Sequence, residues 1–327
     1  MQRFLCTLLI MIMSATAQAA NDPSTHSSNT YYPITIKSCG TPVTFTEAPH
    51  RAIINDLNMS EMAFALNLQD HIVGLTGISG WYKMTPAFLK QMGNIPELAP
   101  KYPSLETLLA AHPDFFFAGW NYGMKPGGEV TPEALSHYGI RTFVLSESCV
   151  FSGSRRKATM NTLYDDELTL GRIFNKEAEA QALVAGWKQR LAQLSKPAAN
   201  EKAPTVFVYD SGEDKPFTSG RYAMPTAIIE AAGGQNAMAS LEMSWGTTSW
   251  ENVAASEPDV IILLDYQTSG GADKLRQFLE QHPLMKLTPA VKHHRYLALQ
   301  YAELTPGPAN IDAVEKLAHV LHGSGIH

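Results

Sequence analysis

Large rings recur where this chain turns. In the first half they are Trp81, Tyr82, Trp120 and Tyr122; in the second they are Phe217, Tyr222, Trp245, Tyr266 and Tyr301. They cluster after predicted strand ends, which is where open α/β sheets hold ligands. Any one ring serves core packing as well as ligand contact. As a set they offer flat apolar cover for a bulky, partly apolar guest at little entropic cost. Arg221 supplies charge that would suit an anionic guest, as would Arg155 and Arg156 unless those two only face solvent. The chemistry this implies is grip rather than bond-making. No H-E-x-x-H, no G-x-S-x-G elbow, no P-loop and no dinucleotide fingerprint occurs. His319 and His322 have the spacing of a metal pair, but exposed histidines on a helix are the simpler reading, and no zinc set emerges.

Two carboxylates stand in matched surroundings. Ser104-Leu105-Glu106 leads to Pro113-Asp114 and Phe115-Phe116-Phe117, and Ser249-Trp250-Glu251 leads to Pro258-Asp259 and Val260-Ile261-Ile262. The stretches start 145 positions apart and share five of eleven residues from Ser104 to Asp114. Each reads as a helix with an acidic first turn, stopped near a proline and followed by a buried strand. Glu106 and Glu251 either favour their helix dipoles by about 0.3–1 kcal/mol or form a pair of docking charges, one per half, for a two-fold symmetric basic partner.

The elements that must position these groups alternate. Ala52–Ile54, Ile72–Leu75, Phe115–Phe117 and Thr142–Leu145 read as strands of a first lobe, with helices capped at Ser60 and over Glu133–Tyr138. Thr205–Tyr209, Val260–Leu264 and Tyr296–Leu299 repeat the grammar, with helices over Pro225–Ala232 and Ile311–Leu321. Such alternation implies parallel sheets covered by helices. Between the lobes, Asn175 suits a helix N-cap, and Leu183, Trp187, Leu191 and Leu194 share one face of a helix over 175–195. Its length would be about 30 Å.

The first residues read as an export signal, with Arg3, an apolar Leu5–Met13 and a small-x-small site cut after Ala19. The expected layout is a signal peptide over 1–19, a disordered leader over 20–32, an N-terminal lobe over 33–160, a helical connector over 161–200 and a C-terminal lobe over 201–327. Export places Cys39 and Cys149 where disulfides persist, so they either bridge or remain two buried thiols. A net charge of −6 argues against nucleic acid and anionic membranes as main partners. No apolar run after the signal is long enough to span a bilayer.

The ordered landmarks resemble the periplasmic binding proteins that deliver iron-siderophores, haem or cobalamin to ABC importers. Ala48–Ile54 is similar to that family's first strand, Glu61–Gly74 to its E-x-x-x-A-L-x-L-x-D-x-I-V-G stretch, and Ser104–Asp114 to its S-x-E…P-D unit. Pro216–Gly220 and Gly233–Asn236 match its second-lobe landmarks. The resemblance implies an α/β fold of two Rossmann-like lobes with parallel central sheets, joined by one long α-helix, with the ligand cleft between the lobes. It implies a non-enzymatic, monomeric receptor with no permanent cofactor, whose cargo is a chelate carrying Fe(III). The expected ligand set is Trp81, Tyr82, Trp120, Tyr122, Phe217, Arg221, Trp245, Tyr266 and Tyr301, with Tyr266 or Tyr301 as the one direct metal ligand, if there is one. Trp245-Gly246 followed by Thr247-Thr248 looks closest to the hydroxamate binders, and Glu106 and Glu251 match the acids that meet a permease dimer. Haem or a corrinoid is the alternative cargo, and an exported metal-dependent hydrolase the alternative class. Glu147-Ser148-Cys149, the Gly123–Gly128 loop and the cysteine pair depart from the family pattern.

Overall fold

The computed structural model describes residues 31–80, 84–194, 202–266 and 270–322. Two parallel sheets are built from short apolar runs. The N-terminal lobe holds β1 (Ile34–Ser38), β2 (Thr41–Phe45), β3 (Ala52–Asn55), α1 (Leu57–Ala65), β4 (Ile72–Thr76), α2 (Pro86–Met92), β5 (Glu97–Ala99) and α3 (Leu105–Ala110). It continues with β6 (Phe115–Trp120), β7 (Gly123–Met124), α4 (Pro132–Ser136) and β8 (Arg141–Val144). Its main sheet runs β5-β4-β3-β6, with β8 and the short β7 both pairing β6, all in parallel. β1 and β2 form an antiparallel hairpin beside it.

Two helices follow, α5 (Met160–Ile173) and α6 (Glu177–Ala192). The C-terminal lobe comprises β9 (Thr205–Tyr209), β10 (Phe217–Ser219), α7 (Met224–Ala231), β11 (Gln235–Asn236), β12 (Trp245–Thr247) and α8 (Trp250–Ala255). It closes with β13 (Val260–Asp265), α9 (Gly271–Gln281), α10 (Pro289–Lys292), β14 (Tyr296–Gln300), α11 (Tyr301–Leu304) and α12 (Ala309–His322). Here the parallel order is β11-β9-β13-β14, and β10 pairs β12 as an antiparallel ribbon.

Strands in such sheets are buried on both faces, which explains their unbroken apolar runs. Phe115 and Phe117 of β6 join one cluster while Phe116 and Ala118 join another. Val206 and Val208 of β9 part from Phe207 and Tyr209 in the same way. The inner faces of both sheets, together with α5, α6 and α12, make one continuous core across the lobes. Full burial of each such side chain stabilises by about 1.5–3 kcal/mol.

The connector differs from the single helix expected over 175–195. Asn175 does not start a helix; its φ of 55° is left-handed, and its N–H reaches Arg172 O at 3.3 Å, so it closes α5. α6 begins only at Glu177 and runs about 24 Å. Trp187 is buried as expected, with Leu183, Leu191 and Leu194 packed part-buried beside it. α5 touches β1 and the Ser146–Ser152 turn on the N-terminal side and α7 on the C-terminal side, so it spans the lobes, while α6 packs on α5 and α12. The first helix also starts earlier than Ser60. Asp56 accepts Leu57 N–H at 2.7 Å, and Ser60 Oγ instead donates back to Asp56 O.

Cys39 and Cys149 are bridged, with Cα atoms 5.3 Å apart and a sequence separation of 110. The bond ties the β1–β2 hairpin to the Ser146–Ser152 turn. Closing a loop of about 100 residues limits the unfolded chain by about 4.7 kcal/mol in the chain-entropy account. No helix among the described residues is long and apolar enough to cross a membrane.

Candidate functional site

The C-terminal ends of the strands from both lobes meet at a cavity of about 310 Å³. The N-terminal lobe contributes Asn121 and Tyr122 after β6, and Phe151 from the disulfide-tied turn. The C-terminal lobe contributes Asp210 after β9, Phe217 of β10, Trp245 of β12, Leu264 of β13, Tyr266, and Tyr301, Leu304 and Thr305 after β14. Placing a ligand at strand ends across a seam is the general habit of open parallel sheets.

Local geometry explains how each ring is held. Gly119 and Tyr122 exchange backbone hydrogen bonds at 2.8 and 2.9 Å around Asn121, whose φ is 61°. Gly123 follows at φ 99°, where a Cβ would stand 2.5 Å from the Asn55 side chain, so only glycine lets this turn lie against the β3 end. Phe217 and Trp245 sit on the paired β10 and β12, their rings stacked at 6.2 Å and 12°. Tyr266 and Tyr301 stand 6.3 Å apart at the floor.

Each of the three described tyrosines on the cavity wall donates to a carboxylate. Tyr266 Oη donates to Asp210 Oδ2 at 2.6 Å, Tyr301 Oη to Asp56 Oδ2 at 2.9 Å, and Tyr122 Oη to Glu147 Oε2 at 3.2 Å. Tyr301 and Asp56 come from different lobes, so their bond crosses the seam. Asn58 Nδ2 crosses it too, donating to Pro306 O at 2.6 Å, and so does Met224 N, donating to Glu147 Oε1 at 2.7 Å. Burial pushes Asp210 above its ordinary range, against the hydrogen bonds from Ser211 and Tyr266 that pull it back. Burial likewise pushes Glu147 up to about 7, opposed by Met224 and Tyr122.

Of the nine expected ligand residues, five line the cavity: Tyr122, Phe217, Trp245, Tyr266 and Tyr301. Trp81 and Tyr82 lie outside the described residues. Trp120 instead borders a separate groove of about 1120 Å³ between the β1–β2 hairpin, α4 and β8. Arg221 is not on the lining; its guanidinium meets Glu242 at 3.3 Å. Asn121, Phe151, Asp210, Leu264, Leu304 and Thr305 were not foreseen. The strand-end rule that flagged the rings also covers Asn121, Asp210 and Thr305, whereas Phe151 has no local signal because the disulfide places it.

Glu106 and Glu251 occupy equivalent positions. Ser104 Oγ accepts Thr107 N–H at 3.0 Å and Ser249 Oγ accepts Asn252 N–H at 3.2 Å, and each glutamate is exposed in the first turn behind its cap. A helix leading into a parallel strand runs back along the sheet, so both acids lie at the strand C-terminal ends, on the cleft side of their lobes. Among the described residues no three or more His, Cys, Asp or Glu side chains are grouped to hold a metal, and His322 Nε2 lies 2.8 Å from Ala232 O.

This fold and seam define a two-lobed solute-binding protein, and the chain belongs to the periplasmic binding protein family, which it matches over residues 55–301. It is similar to the vitamin B12-binding protein of Photorhabdus laumondii, 23% identical over 85% of this chain and 90% of that one. A periplasmic binding protein of Veillonella parvula superposes with a TM-score of 0.75 at 25% identity, covering 90% of this chain and 98% of that one. An ABC-type Fe3+-hydroxamate transport system protein of Saccharomonospora viridis gives 0.74 at 25% identity, covering 89% and 99%.

Proposed function

We propose that this protein is an exported, non-enzymatic receptor that captures a ferric-siderophore-type chelate in the interlobe cleft and hands it to an ABC permease. The observation that carries the reading is the aromatic cavity at the seam, with Phe217 and Trp245 stacked on one wall and Tyr122, Tyr266 and Tyr301 around it. Stacked rings cover a chelator's apolar surface while phenol oxygens meet its polar groups. The chelator, not the protein, keeps the iron coordinated. The similar Fe3+-hydroxamate transport protein supports this cargo. The similar vitamin B12-binding protein favours a corrinoid as the second reading.

In this reading the signal is removed after Ala19, the receptor works as a periplasmic monomer, and Glu106 and Glu251 meet basic pockets on the two halves of the permease. Exposed charges of this kind act on orientation and on-rate. Tryptophan-quenching titration with a ferric trihydroxamate, cobalamin and haem tests the cargo. Saturable quenching by the trihydroxamate is expected, saturation by cobalamin alone would select the second reading, and quenching by none would overturn both. Uptake in cells carrying E106K/E251K tests delivery. Transport is expected to fall at least about tenfold with chelate affinity intact, and unchanged transport would remove the docking role.

A further inference from the structure

Phe151 is the most exposed ring on the cavity wall. It is 40% open to solvent, whereas Tyr122 and Tyr301 are 7% and 9% and Phe217, Trp245 and Tyr266 are part-buried. An apolar ring left in water forgoes burial free energy that a guest packed on it would recover. The other described lining residues of the N-terminal lobe, Asn121 and Tyr122, have less to offer such a guest. Asn121 is polar, and Tyr122 is buried with its hydroxyl given to Glu147. A cargo gripped from both sides therefore meets Phe151 on one lobe and the Phe217–Trp245 stack on the other.

Cys149 is the last fixed point before this ring. The residues ahead of it have their own ties into the fold. Ser146 binds Asp166 through its N–H and hydroxyl, Glu147 accepts Met224 N–H, and Ser148 Oγ accepts Trp120 N–H at 2.9 Å. From Val150 to Ser154 the hydrogen bonds among the described residues close on the turn itself. Ser152 Oγ and Ser154 N both donate to Cys149 O, at 2.9 and 3.1 Å, and Gly153 N donates to Val150 O at 3.2 Å. The sulfur of Cys149 supplies the outside anchor. Its partner Cys39 sits in the two-residue turn of the β1–β2 hairpin, where Cys39 and Gly40 both have left-handed φ, 47° and 87°. Ser38 Oγ accepts Val144 N–H at 2.9 Å and so fixes that turn against β8.

We propose that Phe151 is a cargo-contact residue, the N-terminal lobe's side of the grip, and that the Cys39–Cys149 bridge positions it. The inference rests on the chelate-receptor reading and deepens it. A contact ring held in place beforehand need not be ordered at the moment of capture. The bridge thus serves affinity as well as stability, and it does so through one side chain.

The test is a tryptophan-quenching titration of the full mature chain with a neutral ferric trihydroxamate, as a double-mutant cycle over Phe151 and the bridge. F151A is expected to weaken binding about fivefold or more, and F151Y, which keeps the ring, to stay within about twofold. C39A/C149A is expected to weaken binding about threefold or more where Phe151 is present, and to change nothing in the F151A background. F151A binding as tightly as the unaltered chain would overturn the inference while leaving a chelate receptor standing. So would bridge removal with the same effect in both backgrounds, no effect included. Trihydroxamate binding by none of the chains would remove the receptor reading and the inference with it. Both cysteines line a recess of about 440 Å³ through which a phosphine reaches the bridge. If C39A/C149A does not fold, the same cycle is therefore run on the folded chains before and after reduction.

Discussion

Glu147 shows what one side chain does at the seam. α7 begins at Met224 with Ala223 before it, so its own sequence supplies no capping oxygen. Glu147, 77 residues earlier and in the other lobe, accepts the Met224 N–H at 2.7 Å and the Tyr122 hydroxyl at 3.2 Å. One carboxylate thus closes a helix start in one lobe and steadies a cleft ring in the other. Glu147→Ala leaves a buried N–H unmet, and urea denaturation should show a loss of about 1–3 kcal/mol. Glu147→Gln keeps an acceptor and should lose less than half of that. Equal stability of the two variants would show that the interlobe cap contributes nothing. The Glu147-Ser148-Cys149 stretch, set apart in the sequence from the general family pattern, is the segment that carries this role and the disulfide.

At the scale of elements, the sequence was most legible where burial dictates it. β3, β4, β8, β9, β13 and β14 lie within a residue of the apolar runs that announced them, while β6 starts with its run and continues three residues past it, to Trp120. The twin helix starts at Ser104 and Ser249 also appear as read, because a serine cap and an acidic first turn are local chemistry. What stayed hidden depends on distant partners. The β10–β12 ribbon that carries Phe217 and Trp245 is three residues per strand, too short for a period to show. α5 lies in the helical connector expected over 161–200, starting one residue earlier, but its buried acids do not show locally: Asp166 and Glu167 are buried in it, Asp166 accepting both Ser146 N–H and Ser146 Oγ–H at 2.9 and 2.5 Å. Asn175 serves helix stops as well as starts, and only its left-handed backbone separates the two. Arg221 is expected at the cleft as a counter-charge and Trp120 as a ring after a strand end; in the fold Arg221 meets Glu242 and Trp120 borders the separate groove.

For the whole molecule, the seam is rich in buried acids. Burial, reinforced by Glu303 and Asp312, pushes Glu61 up to about 7. Burial also pushes Glu147 and Asp166 up to about 7, and Glu167 well above its ordinary value. These groups keep their protons in the folded state up to near neutrality, whereas the unfolded chain releases them at ordinary carboxylate values of about 4. Between those limits the folded state binds more protons, so stability is greatest at the acid side of the window and falls as pH rises through it. The slope is at most about 1.4 kcal/mol per group per pH unit. Thermal unfolding should therefore give a higher Tm at about pH 5.5 than at about pH 8. A Tm that is flat or lower at the acid end would mean these carboxylates are charged in the fold.

Where the guest sits is the question on which the account turns, and hydrogen exchange measured with and without a saturating ferric trihydroxamate answers it most directly. Protection is expected on both lobes at once, in residues 119–124 and 147–152 on one side and 210–219, 245–247, 264–266 and 301–305 on the other, because these segments carry the cleft wall. Protection confined to residues 41–44 and 127–142, around the larger groove beside the hairpin, or no protection anywhere, would contradict it.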